Sequence, residues 1–224
     1  MEELKEAVNI RYAKEASCCS SLSCGGALDL ADPKFGEVFI DLGCGRGNDV
    51  LKAAGRVGKI GMAYGVDFTK EMIEMAEINK KKLRVENAEF LESEIEKLPF
   101  QDSTADVVIS NCTINHSKDK AAVYKEIYRV LKTGGRFVVS DIIAENELPA
   151  EVRNDPKAWA GCYGGAVPKQ EYFAAMASGG FKEAEILEES EPYEKGGVIV
   201  RSITVRGHKI SAPKKTCGCG GGNC

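Results

Sequence analysis

Val38-Phe39-Ile40-Asp41-Leu42 runs straight into Gly43-Cys44-Gly45-Arg46-Gly47, and this stretch decides the fold. Four of the first five residues are apolar, as in a buried strand. The glycines that follow let the backbone turn tightly and come close to a ligand. Asp49 to Arg56 then continues as helix. Outward from this unit the pattern repeats. Ala63 to Asp67 reads as a second strand, and Thr69 to Leu83 as a helix with Met72, Met75 and Ala76 turned inward. Ala88 to Leu91, Ala105 to Ser110 and Phe137 to Ile143 are further strands, and Lys118 to Leu131 is a helix ending at Gly134-Gly135. Continuous apolar strands separated by helices predict an α/β fold with a mostly parallel sheet covered on both faces.

The flanks differ. Residues 1–16 read as an amphipathic helix with Leu4, Val8 and Tyr12 on one side, followed by a loop from Ser17 to Ala27. Gln170 to Ser178 is helical, and Glu183 to Leu187 and Val198 to Val205 are two strands, expected as an antiparallel pair at the sheet edge. The reading divides the chain into a helix and cysteine loop (1–34), the main domain (35–208) and a Cys-rich tail without periodicity (209–224).

The chain has 224 residues, 43% hydrophobic, and a net charge of −4. That length suits one domain with a real core. Lys and Arg are scattered, so nucleic acid is a poor partner. No apolar run approaches the roughly 18 residues that span a bilayer, and the charged start does not resemble a signal peptide. The expectation is a cytoplasmic protein acting on no membrane. Nine cysteines are many for such a chain. In a reducing compartment they more often bind soft ions or do chemistry than form disulfides.

A carboxylate at Asp67, ending the second strand, can accept hydrogen bonds from a ribose diol. A dinucleotide site calls for Gly-x-Gly-x-x-Gly and a phosphate at the helix start. Here the spacing is Gly-x-Gly-x-Gly, with Asp41 ahead of it. An acid there suits a cationic amino group better than a phosphate, which points to S-adenosylmethionine rather than NAD.

The ordered set Asp41–Gly47, Asp67, Leu98-Pro99-Phe100, Asp106-Val107-Val108 and Val130–Gly135 resembles class I methyltransferases. The resemblance implies their Rossmann-like fold, a mostly parallel seven-stranded sheet with an antiparallel edge strand and helices on both faces. It implies that Asp41, Gly43, Cys44 and Gly45 surround the methionine moiety, Asp67 the ribose and Phe68 the adenine. Glu94 and Ile95 would lie along the adenine edge, although the family usually has Asp where Glu94 stands. Asn111 would face the transferred methyl group.

Ser110-Asn111-Cys112-Thr113-Ile114-Asn115, Val139-Ser140-Asp141-Ile142 and Trp159–Ala166 carry a narrower resemblance, to arsenite methyltransferases. It implies that Cys112, Cys162 and a third thiol hold trivalent arsenic and act as the catalytic cysteines. Cys24 lies nearest the third place, with Cys18 and Cys19 as rivals or as thiols that close a disulfide during turnover. It also implies a reducing thiol, glutathione or thioredoxin, as co-substrate. Departures are Gly161, where an acid is usual, and His116, where an apolar residue is usual; His116 reads as an exposed loop imidazole without a role. Arg46 and Asp49 flank the cofactor loop and read equally well as a surface pair. Cys217, Cys219 and Cys224 either capture a soft ion or do nothing.

Two other readings stay open. One is a class I methyltransferase of a small organic molecule such as a quinone precursor, with His116 as its one obvious base. The other is a soft-metal-binding protein on a methyltransferase fold.

Overall fold

The computed structural model describes residues 2–16 and 25–210. Cys18, Cys19, Cys24, Cys217, Cys219 and Cys224 lie outside the described residues.

In chain order the helices and strands are α1 (Glu2–Ala16), α2 (Ala27–Ala31), β1 (Val38–Leu42), α3 (Asn48–Val57), β2 (Met62–Asp67), α4 (Lys70–Leu83), β3 (Ala88–Glu92) and β4 (Ala105–Asn111). A 3-10 turn at Ile114–His116 leads to α5 (Lys120–Val130) and β5 (Leu131–Ala144). There follow α6 (Ala150–Arg153), α7 (Pro156–Ala160), α8 (Lys169–Ser178), β6 (Ala184–Glu189), β7 (Tyr193–Lys195) and β8 (Val198–His208).

The sheet order is β3-β2-β1-β4-β5-β8-β6, with β7 paired to β8. The first five strands are parallel. β8 runs antiparallel to both β5 and β6. The expected seven strands form the main path. The antiparallel strand sits one place in from the edge, because β6 closes outside it. β7 is additional. Gly196 and Gly197, both at positive φ, join it to β8 in a two-residue turn that glycine alone adopts cheaply.

Side chains alternate between the two faces, as a pleated strand requires. Ile40, Leu42 and Val108 pack with Tyr124, Ile127 and Tyr172 on one face. Phe39, Val107 and Ile109 pack with Val50, Leu51 and Ala54 on the other. Burial on both faces explains why these strands read as unbroken apolar runs. α5 begins at Lys120, two residues later than expected, because the Asp119 carboxylate caps it by accepting from the Ala122 N–H at 2.9 Å. The Leu4–Val8 stripe of α1 packs on Trp159 rather than on the sheet, with Tyr12 and Phe68 alongside.

β1 turns outward to β2 and β3, and β4 returns on its other side. The switch between β1 and β4 opens a crevice at their carboxyl ends, the usual ligand position in such sheets.

Candidate active site

The Gly43–Gly47 loop is tied to β2: the Gly43 and Cys44 N–H groups donate to the Val66 carbonyl at 2.7 and 3.0 Å. Gly43 has φ +74, and a Cβ there would run into the Thr113 side chain. The loop therefore lies flush against the segment after β4. Asp67 Oδ2 accepts from the Gly45 N–H and Oδ1 from the Thr69 N–H, each at 2.9 Å. Burial raises the Asp67 pKa, and these hydrogen bonds oppose the rise. Burial also pushes Asp41 well above the carboxylate range, aided by the nearby charges of Asp49 and Asp67. The Cys44 thiol is driven up by burial as well, so it stays neutral and acts as a small wall residue.

One cavity is lined by Asp41, Gly43, Cys44, Gly45 and Asp67, and continues along Phe68, Ile95 and Asn111. Asp49 lines it too. Its carboxylate pairs with Lys52 at 3.0 Å, not with Arg46, and faces Asn111 Nδ2 at 3.4 Å. Glu94 stands apart: it pairs with Lys5 at 2.8 Å beside an adjoining apolar recess. Asp41, Asp49 and Asp67 in one lining with Phe68 and Ile95 suit a ligand with positive charge and an aromatic base.

Cys112 and Thr113 border the same cavity. Cys112 follows β4 with φ +58, its N–H donating to the Ser140 carbonyl at 2.8 Å. Cys162 follows α7 with φ +66, its N–H donating to the Trp159 carbonyl at 2.9 Å. Left-handed backbone is uncommon outside glycine and gathers at functional sites. Cys162 Sγ lies 3.3 Å from the Tyr12 hydroxyl and 3.4 Å from His116 Nε2, and those two are 3.4 Å from each other. Tyr12 and His116 also line the cavity beside Cys112. The Tyr12–His116 pair thus touches Cys162 and lines the cavity that Cys112 also borders. Burial raises the Cys162 pKa, while its hydrogen bond with Tyr12 opposes the rise.

His116 corrects the sequence reading. It is half-buried, edge-on to Tyr12 with ring centroids 5.6 Å apart. Burial pushes its pKa down to about 4, so the imidazole is neutral. Tyr12 and Asp49 are site residues that the sequence reading does not single out, and it names His116 only as the base of an alternative reading. Tyr12 showed only as part of an apolar stripe, and the one local signal for Asp49 was an acid in the first turn of a helix.

A buried polar network supports the turn after Cys112. Asn115 Nδ2 donates to Asp141 Oδ1 at 2.8 Å and to the Ile142 carbonyl at 2.7 Å. The Tyr172 hydroxyl donates to Asp141 Oδ2 at 2.9 Å. Burial lifts the Asp141 pKa to about 6, with Lys120 pulling the other way.

Among known proteins, a family model described as a methyltransferase domain matches residues 33–191. An arsenite methyltransferase of Halobacterium salinarum is 40% identical over 77% of the chain and 44% of its own length. The human arsenite methyltransferase is 38% identical over 58% of the chain and 37% of its own length. The chain therefore spans less than half the length of these curated relatives. The crystal structure of an arsenic(III) S-adenosylmethionine methyltransferase from Chlamydomonas reinhardtii matches with a TM-score of 0.74 at 31% identity, covering 93% of this chain and 74% of that one.

Proposed function

Because the chain belongs to the arsenite methyltransferase family of methyltransferase domains, we propose that it transfers a methyl group from S-adenosylmethionine to trivalent arsenic held by its cysteine thiolates. The bound cofactor supplies an electrophilic methyl group on a sulfonium. Asp41 and Asp49 face its cationic amino group, Asp67 its ribose hydroxyls, and Phe68 with Ile95 its adenine. Asn111 faces the methyl end. Cys112 and Cys162, joined by Cys24 from outside the described residues, hold arsenic as a trigonal pyramid. That geometry leaves the arsenic lone pair open to accept a methyl group, so no general base is needed. The protein's main contribution is then to hold nucleophile and methyl at near-attack distance. Forming the As–C bond breaks the S–CH3 bond, releases S-adenosylhomocysteine and takes arsenic from trivalent to pentavalent; two cysteine thiolates return it to trivalent by closing a disulfide, which a reducing thiol such as glutathione or thioredoxin reopens.

The observation that supports this reading most is that Tyr12 and His116, both in contact with Cys162, line the same acidic, glycine-walled cavity as Cys112. An imidazole held near pKa 4 is a weak base, which disfavours a deprotonating role in methylation of a quinone precursor. No helix among the described residues is long and apolar enough to cross a membrane, and we place the reaction in the reducing cytoplasm. The test is incubation with arsenite, S-adenosylmethionine and glutathione, followed by mass spectrometry of the arsenic species. Methylated arsenic is expected. A protein that binds the cofactor yet yields none overturns the assignment.

A further inference from the structure

One buried cation joins the two cysteine-bearing segments. Lys120, in the first turn of α5, is 7% exposed. Its ammonium donates to the Gly165 carbonyl at 2.6 Å and to the Ser117 carbonyl at 3.2 Å. Ser117 ends the turn that starts at Cys112, and Gly165 lies in the loop that starts at Cys162. A steric contact runs beside the ionic one: a Cβ on Gly165 would collide with the Asn115 carbonyl oxygen. Asn115 in turn is fixed to Asp141, whose charge faces Lys120.

Lys120 is not needed to start its helix, because Asp119 already caps α5. Nor does it form a surface ion pair. It spends a buried charge on two backbone carbonyls, each from a different loop. Hydrogen bonds with a charged donor are about twice as strong as neutral ones, and removing the donor leaves both carbonyls and Asp141 without their cation.

We propose that Lys120 is a positioning residue for thiol capture: by clasping the Ser117 and Gly165 carbonyls it sets the separation of Cys112 and Cys162 for a trivalent arsenical. The proposal rests on the arsenic reading above and deepens it, since it names what fixes the spacing of two sulfurs that one arsenic atom must reach. Gly165 belongs to the same device, because its bare Cα lets the second loop lie against Asn115.

The test uses the full chain with Cys18, Cys19, Cys24, Cys217, Cys219 and Cys224 changed to Ser, leaving Cys112 and Cys162 as the pair to be captured and Cys44 as a single buried thiol. The probe is phenylarsine oxide. Two As–S bonds form, two S–H bonds and the As–O bonding break, and both protons leave with the oxygen as water. Capture is titrated by intact-mass spectrometry, and S-adenosylmethionine binding is measured in parallel by calorimetry. The parent chain takes up one arsenical. Lys120→Met weakens capture about tenfold while cofactor affinity holds, the scale seen when partners that orient metal ligands are removed. Gly165→Ala, which reaches the same loop by crowding, weakens capture in the same direction. Capture by Lys120→Met as tight as the parent's overturns the clasp and leaves the arsenic reading standing. Equal loss of capture and cofactor binding in both variants also overturns it, since the residues would then serve the fold at large. A parent chain that captures no arsenical sinks the arsenic reading, and the clasp with it.

Discussion

On the wall that the proposal gives to the cofactor, Asp41, Gly43 and Gly45 come from one short run, and Asp67 reaches Gly45 across 22 residues. On the thiol-facing wall, Tyr12 meets His116 across 104 residues and Cys162 across 150. The first wall is built around a glycine loop, so its shape depends on side chains being absent at positions such as Gly43. The second is made of side chains from three segments, so its shape depends on what holds those segments together. A loop of the first kind carries its own signature; a cluster of the second kind has none until the chain is folded.

If the two walls are separable, damage to one spares the other. The largest expected effect is on the thiol wall. Cys112→Ser and Cys162→Ser each lower arsenic methylation by about 100-fold or more, the penalty for a misplaced reacting centre, while calorimetry finds cofactor affinity unchanged. Loss of cofactor binding in either variant would break the comparison. Next comes the cofactor wall. Asp67→Asn removes charge-assisted acceptors worth about 1.5–3 kcal/mol, so S-adenosylmethionine affinity falls by about 10- to 100-fold and phenylarsine oxide capture does not change.

Smaller effects sharpen the contrast. Gly43→Ala puts a methyl group against Thr113 at φ +74, which destabilises the fold by about 1–3 kcal/mol, read as a lowered urea midpoint. The smallest effect is on His116. Burial lowers its pKa from 6.5 to about 4, so between those values the folded state binds fewer protons than the unfolded chain. Stability is fully present above pH 6.5 and falls as pH drops toward 4. His116→Phe removes this dependence, and at about pH 5 the wild-type protein has lost roughly 1–2 kcal/mol more than the variant. Urea midpoints at neutral and acidic pH measure the difference.

The sheet and its glycine loop were legible in the sequence because both are written locally. Val38–Leu42 and Ala105–Ser110 announce themselves as apolar runs, and each glycine in the loop permits a turn at its own position. The short helices α2, α6 and α7 carry no assignment in the sequence reading, since four or five residues hold no period to detect. The pairing of Gly196 and Gly197 was a readable hairpin signal that passed unused. His116 was misread because α1, more than a hundred residues earlier, decides its burial. Lys120 stands in the Lys118-Asp119-Lys120 stretch that shares the narrower resemblance, but its two carbonyl partners, one of them 45 residues away, have no local signal. Cys112 and Cys162 were found through resemblance, and nothing local to either foretold that both would sit on left-handed backbone.

Trp159 is the chain's single tryptophan. It lies three residues before Cys162, its indole N–H pinned to the Arg153 carbonyl at 2.7 Å and the Lys118 ammonium 5.6 Å above its ring. If Cys162 takes up a thiophilic ligand as proposed, the change falls three residues from the chain's one indole, and the protein carries its own optical gauge, read as a shift in tryptophan emission on titration with no dye attached.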